Sequence, residues 1–167
     1  DAEAVLHTAE SLVGSVAAQA ADVGDQVRAI AFSSQGEAVI PVDRRGRALS
    51  LAPVGMDARG EPAVRAMAER LGAERVQHIT GQPLNRMFSV YKVAAGDIAW
   101  RPPAAIAYRA LSDFVASRWG AAPAIDWTCA ARTGLFDVNA TTWSAEVIAA
   151  AAVDAPWLAD VPFSECV

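Results

Sequence analysis

Apolar residues recur at helical spacing along the first twenty residues of the chain. They lie three or four positions apart, which places them on one face of a helix: Val5, Leu6, Ala9, Leu12, Val13, Val16, Ala17 and Ala20. Asp1 is available to cap the first turn, and the polar residues 22–25 interrupt the pattern. The sequence therefore predicts a helix that ends at residue 21.

Two short apolar, β-favouring runs follow, at residues 27–31 and 38–42, with the polar residues 33–37 between them. Such a pair predicts a β-hairpin or a strand pair. Gly36 permits a close backbone approach, and Glu37 places a carboxylate beside it. Composition alone favours a solvated turn. A strand that ends in hydroxyls, an amide, a glycine and an acid also suits a polyol-binding edge, so both interpretations stay open.

In the rest of the chain, segments with helical spacing of apolar residues alternate with short segments that favour extended structure. Helical spacing predicts helices at residues 62–71, 73–80, 87–100 and 111–119, and another that begins at residues 142–144. Pro62 suits the first turn of the first of these helices, and Gly72 suits its end. Short extended segments are predicted at residues 48–54, 104–107 and 123–125. This alternation predicts a single domain of the α/β class.

Composition excludes several classes of protein. Of the 167 residues, 53% are hydrophobic and 20% are charged, which argues against disorder. The net charge of −5 argues against binding to nucleic acid. No apolar run approaches the ~18 residues of a membrane span, and neither a signal peptide nor a disulfide framework is indicated. His7 and His78 have no second histidine at ligand spacing. We expect a soluble cytoplasmic domain without a metal site.

Six segments carry a recognisable order, although common phosphate-loop, dinucleotide, zinc and nucleophile motifs are missing. They are SSQG (33–36), GMDAR (55–59), LGAERVQHITGQPLNRMFSVYK (71–92), DFVASRWG (113–120), ARTGLFD (131–137) and TTWS (141–144). In this order they resemble the N-terminal domain of the FGGY carbohydrate kinases, which include xylulokinase, gluconokinase and glycerol kinase. The resemblance implies an actin-like, ribonuclease H-like fold and phosphoryl transfer from MgATP to a sugar or polyol hydroxyl in a cleft between two domains.

The resemblance also implies a set of substrate-binding residues: Gln35, Gly36, Glu37, Gly55, Asp57 and Met87. Gly36 replaces the Arg or Met that is usual before the acidic position, and Gly55 replaces a usual Trp. Met87 lies where glycerol kinases place a tyrosine that faces the substrate. The loss of bulky side chains implies a roomier pocket and leaves the particular sugar or polyol open.

Structural roles are open for Asp57 and for two further charged residues, Lys92 and Arg132. Asp57 could instead form a salt bridge with Arg59 at the start of the following helix, where a carboxylate also suits the helix dipole. For Lys92 and Arg132 we expect structural roles.

The family's D-x-G-T-S/T turn, its catalytic aspartate and its ATP-binding domain have no counterpart in these 167 residues. We therefore expect residues 1–167 to form part of the sugar-binding domain, with no catalytic residue and no activity alone. ATP and Mg²⁺ would serve the whole kinase, and exposed sheet edges favour a homodimer. Two alternatives stay open, a non-catalytic sugar-binding or regulatory remnant and an unrelated hydrolase that uses Glu37 and Asp57 as a carboxylate pair.

Overall fold

The computed structural model describes residues 1–96 and 101–153. Helix α1 spans Ala2–Asp22, and the Asp1 carboxylate caps it by accepting from the backbone N–H groups of Glu3 and Ala4 at 2.9 and 3.3 Å. This helix is as predicted. Only its first turns are anchored, through buried Ala2 and Leu6. Its second half projects apolar side chains into solvent.

The predicted hairpin is wrong. Residues 27–31 form no strand and are exposed, whereas the second run contains strand β1, Ile40–Val42. Strand β1 pairs antiparallel with the distant strand β2, Ala107–Arg109, so that Ile40 lies opposite Arg109. Val42 also forms a bridge with Ala48. Strand pairing is set by tertiary contacts, which the local apolar pattern does not encode.

A run of helices fills the middle of the chain. A 3₁₀ turn, Ala58–Gly60, leads into α2, Glu61–Leu71, and α3 follows at Ala73–Thr80. Gly72 separates these helices with a φ of 78°, a conformation that suits glycine. Helix α4, Ser89–Ala94, is shorter than the predicted 87–100. Residues 97–100 lie outside the described part of the chain.

The C-terminal half contains one helix that the sequence did not predict. Helix α5 spans Leu111–Arg118, as expected, and the unpredicted α6 spans Trp127–Arg132. A small antiparallel hairpin follows, formed by β3, Phe136–Asp137, and β4, Thr142–Trp143. Helix α7, Ala145–Ala151, begins after the predicted 142–144, because Ser144 caps it by accepting from the N–H of Val147.

Three apolar clusters hold these elements together. The largest joins α2, α3, α4 and α7, the second lies between the β1–β2 pair, α1 and α5, and the third connects α6 with the β3–β4 hairpin. Residues 33–37 run past the α4 and α6 side of this core. The described residues contain both helices and short strands, as predicted, although α2, α3 and α4 follow one another without a strand between them. None of the helices in the described ranges is long and apolar enough to cross a membrane.

Candidate functional site

An open cleft of about 800 Å³ brings three of the predicted site residues together. Gln35, Gly55 and Met87 line it, although they lie far apart in the sequence. Its other walls are Val54, Met56, Glu61, Val64, Leu84, Asn85 and Arg86. This volume lies within the range of small-molecule sites, and the lining combines apolar walls with amide and charged groups.

Side chains of α4 hold the backbone at Glu37 in place. The Glu37 carbonyl accepts hydrogen bonds from Ser89 Oγ at 3.0 Å and from Lys92 Nζ at 3.1 Å. Lys92 Nζ also donates to the Met87 carbonyl at 2.7 Å. The ammonium group of Lys92 therefore links the backbone of two predicted site residues, Glu37 and Met87, and fixes their relative position.

Lys92 is fully buried, which is unusual for a lysine. Burial lowers the pKa of its ammonium to about 8, and the negative charge of Asp57 opposes this shift. The two carbonyls compensate the charge with hydrogen bonds in a water-poor setting. The geometry gives Lys92 a structural role, in line with the sequence-based expectation.

The Glu37 carboxylate forms an ion pair with Arg132, the last residue of α6. Both Nε and Nη2 of Arg132 donate to Glu37 Oε1. The guanidinium lies over the Phe88 ring, 5.1 Å from its centroid, and Nη2 approaches Met87 Sδ at 3.9 Å. Arg132 therefore lies beside the cleft wall that Met87 forms, with its charged group held by three neighbours.

Gly36 is required by the position of Arg132. A Cβ at Gly36 would lie 2.4 Å from Arg132 Cβ and 2.7 Å from Cγ, closer than carbon atoms can approach. Gly55 has more freedom, because a Cβ there would meet Met87 Cγ at 3.4 Å. The two glycines at the predicted site therefore differ. Gly36 makes room for a neighbouring side chain, and Gly55 leaves the cleft open.

Asp57 has a different environment from the other predicted residues. Its carboxylate forms a two-pronged ion pair with Arg59, with Nε to Oδ1 at 3.1 Å and Nη2 to Oδ2 at 2.7 Å, and it caps the 3₁₀ turn. These hydrogen bonds lower the pKa of Asp57 to about 2. This geometry matches the structural alternative. It also suits a hydrolytic carboxylate pair poorly, because a general acid needs a raised pKa.

Arg132 is the residue whose position the sequence analysis missed. Its partner Glu37 is 95 residues away, and no local pattern signals a contact over that distance. The departure at Gly36 was visible in the sequence, but only the structure shows that Arg132 lies against it. Within the described ranges, no group of three histidine, cysteine, aspartate or glutamate residues could hold a metal ion.

The chain belongs to the FGGY family of carbohydrate kinases. The family model for the N-terminal domain matches residues 1–166. A comparison with curated protein sequences found no match. The predicted α/β, actin-like and ribonuclease H-like fold class is confirmed by this match and by solved structures of sugar kinases.

Two of those structures come from Lactobacillus acidophilus, a ligand-bound xylulose kinase and a gluconate kinase. Each is 18% identical to the chain, with a TM-score of 0.83 over 97% of the chain and 33% of the kinase. Plasmodium falciparum glycerol kinase with ADP is 25% identical, with a TM-score of 0.65 over 74% of the chain and 26% of the kinase. The chain thus spans about a third of the length of the first two kinases.

Proposed function

We propose that residues 1–167 form part of the sugar-binding side of a two-domain carbohydrate kinase. The observation that supports this most directly is the cleft that gathers Gln35, Gly55 and Met87 beside the anchored Glu37. The match to a family of carbohydrate kinases supports the reaction that we propose for the whole protein, ATP-dependent phosphorylation of a sugar or polyol hydroxyl. The cleft supplies a place where such a substrate would bind.

The polar groups of the cleft suit a polyhydroxylated ligand. The amide of Gln35, which lines the cleft, both donates and accepts hydrogen bonds, and the carboxylate of Glu37, two residues further along the chain, accepts them from hydroxyl groups. Gln35 is exposed and therefore accessible to a ligand, whereas Gly36 is buried beneath Arg132. Hydrogen bonds to a charged group contribute about 1.5–3 kcal/mol each, enough to select hydroxylated ligands over apolar ones.

ATP and Mg²⁺ belong to our proposal for the whole kinase, not for the described residues. The acidic residue of the cleft, Glu61, is engaged by Arg86 at 3.6 Å, and no cluster of metal-binding side chains occurs in residues 1–96 and 101–153. The donor set present here therefore does not fit a nucleotide-bound Mg²⁺. Phosphoryl transfer relies on charge stabilisation from both sides of a cleft. We accordingly expect no phosphorylation of sugars by this chain alone.

Calorimetric titration of the chain with xylitol, D-xylulose, gluconate and glycerol tests the proposal. We expect saturable binding at one site for at least one of these ligands. A coupled ATPase assay with the same ligands should show no turnover. Absence of binding to all four would contradict the proposed sugar site. Turnover by the isolated chain would contradict the assignment of the ATP chemistry to other residues.

We also propose that the chain acts in the cytoplasm and self-associates. Val27, Ile30 and Phe32 are 40%, 47% and 45% exposed in an extended segment that forms no strand. An exposed, apolar extended segment is prone to pair with another chain. Sedimentation equilibrium should therefore detect a homodimer, and a strict monomer at every concentration would contradict this.

A further inference from the structure

Arg132 is held in an orientation that a surface arginine would not keep by itself. Its stem packs against the backbone at Gly36, its guanidinium lies over Phe88, and Glu37 accepts two of its hydrogen bonds. Arginine side chains lose considerable rotamer freedom on ordering. Because the fold has already fixed this one, a ligand that binds to it meets a largely preorganised donor.

The ion pair leaves one nitrogen of Arg132 and one oxygen of Glu37 for a ligand. Arg132 Nε and Nη2 both donate to Glu37 Oε1. Among the residues that the structure describes, none accepts from Arg132 Nη1 and none donates to Glu37 Oε2. The Arg132 side chain is 37% exposed, and that of Glu37 is 15% exposed. Arg132 Nη1 and Glu37 Oε2 are therefore open to a ligand, and the pair adjoins the cleft through Met87, whose Sδ lies 3.9 Å from Arg132 Nη2.

We propose that Arg132 and Glu37 together bind two adjacent hydroxyl groups of the substrate. One hydroxyl donates to Glu37 Oε2, and its neighbour accepts from Arg132 Nη1. A vicinal diol offers such a donor and acceptor pair, and every sugar or polyol of the proposed class contains one. Arg132 is thus a specificity-determining residue, and Gly36 is the residue that admits it. This inference rests on the proposed sugar-binding function.

Selectivity follows from the partial burial of the pair. A ligand without one of the two hydroxyls leaves Arg132 Nη1 or Glu37 Oε2 without a partner, and sites of this kind discriminate strongly. We expect removal of either hydroxyl to weaken binding roughly tenfold or more, the range for a lost hydrogen bond to a charged group. This weakening of binding should occur only when Arg132 is present.

The experiment is a binding cycle between protein variants and ligand analogues. The tightest binder among xylitol, D-xylulose, gluconate and glycerol is titrated into the wild-type chain and the Arg132→Gln variant, together with its monodeoxy analogues. Arg75→Gln is the matched control, because Arg75 forms a similar ion pair with Glu146 on another face. Far-ultraviolet circular dichroism and thermal unfolding confirm that each variant is folded.

We expect Arg132→Gln to weaken binding at least tenfold and Arg75→Gln to leave it unchanged. One monodeoxy analogue should bind the wild-type chain at least tenfold more weakly than the parent ligand, while Arg132→Gln binds both alike. A merely structural Arg132 would preserve the wild-type preference for the hydroxyl. Gly36→Ala should also weaken binding, and this effect should shrink in an Arg132→Gly background, where the overlapping atoms are gone.

The two levels of the proposal fail in different ways. If the wild-type chain binds none of the four ligands, the proposed function is overturned and this inference falls with it. If the wild-type chain binds but Arg132→Gln binds equally well, only the inference is overturned. The same holds if the preference for the hydroxylated ligand survives in Arg132→Gln.

Discussion

Lys92 offers the sharpest test of how the cleft is held in shape. The substitution Lys92→Met keeps most of the apolar stem and removes the buried ammonium that donates to the carbonyls of Glu37 and Met87. Each hydrogen bond to a charged group contributes about 1.5–3 kcal/mol. Ser89 Oγ would still donate to the Glu37 carbonyl, which moderates the loss on that side.

An opposing effect comes from the desolvation of the ammonium. The pKa of Lys92 is lowered from 10.5 to about 8, chiefly by burial. At neutral pH this lowering corresponds to a cost of roughly 3 kcal/mol for keeping the charge in the fold. The hydrogen bonds outweigh this cost only modestly. We therefore expect Lys92→Met to reduce the free energy of unfolding by about 1–2 kcal/mol at pH 7.

The pH dependence gives the clearer signature. Because the pKa of Lys92 is lower in the folded chain than in the unfolded chain, the unfolded chain binds more protons between pH 8 and 10.5. The wild-type chain should therefore gain stability relative to Lys92→Met as the pH rises through that window. The difference should grow by up to roughly 3 kcal/mol. Groups that titrate in both proteins cancel in this comparison.

Urea unfolding of both proteins at pH 7, 8, 9 and 10 measures this difference. A difference in the free energy of unfolding that stays constant over this range would refute the reasoning, because it would mean that Lys92 titrates alike in the folded and unfolded chains. A large stabilisation by Lys92→Met at pH 7 would equally refute the importance of the two carbonyl contacts.

Three further predictions concern a buried carboxylate, two glycines and a helix cap. Burial raises the pKa of Asp113 to about 7, so its contribution to stability should be full below pH 4 and lost as the pH rises through 7. Asp113→Asn should flatten this decline in the free energy of unfolding, measured with urea. An unchanged dependence of that free energy on pH would contradict the shift. Gly36→Ala should lower the free energy of unfolding by about 1–3 kcal/mol, because the new Cβ would overlap with Arg132. Gly14→Ala, where no atom lies within 4 Å of the new Cβ, should instead stabilise α1 by roughly 0.5–1 kcal/mol. Equal effects of the two substitutions in thermal melts would contradict this. Asp126→Ala removes the cap of α6 and should cost about 1 kcal/mol; a neutral result would show that the cap is dispensable.

Helices with a clear apolar face were predictable from the sequence, and strand pairing was not. The α2 helix combined a proline in its first turn, a terminal glycine and an apolar stripe, so each local signal agreed with the structure. Helix α6 has only six residues, too few for a periodic signal, and its one local sign was the capping carboxylate of Asp126. Residues 27–31 carry a β-favouring pattern but have no strand beside them. The apolar pattern indicates which residues prefer burial, but it does not indicate which strand is available for pairing.

Only part of the candidate site could be predicted, because local sequence does not specify contacts between distant residues. Gln35, Gly55 and Met87 could be proposed from ordered motifs, and the structure places them on one cleft. The pairing of Arg132 with Glu37 depends on the packing of α6 against residues 36–37, which no local sequence feature specifies. Gly36 looked like the loss of a side chain. In the structure it is the space that another side chain occupies.

The central claim, that this cleft binds a sugar or polyol, is tested most directly by NMR titration of the ¹⁵N-labelled chain. Xylitol, D-xylulose, gluconate and glycerol are added separately, and the backbone amide shifts are followed. The account predicts saturable shifts concentrated at Gln35, Glu37, Gly55 and Met87, with the amides of α1 unchanged. Shifts absent with all four ligands, or centred on α1 instead, would contradict it.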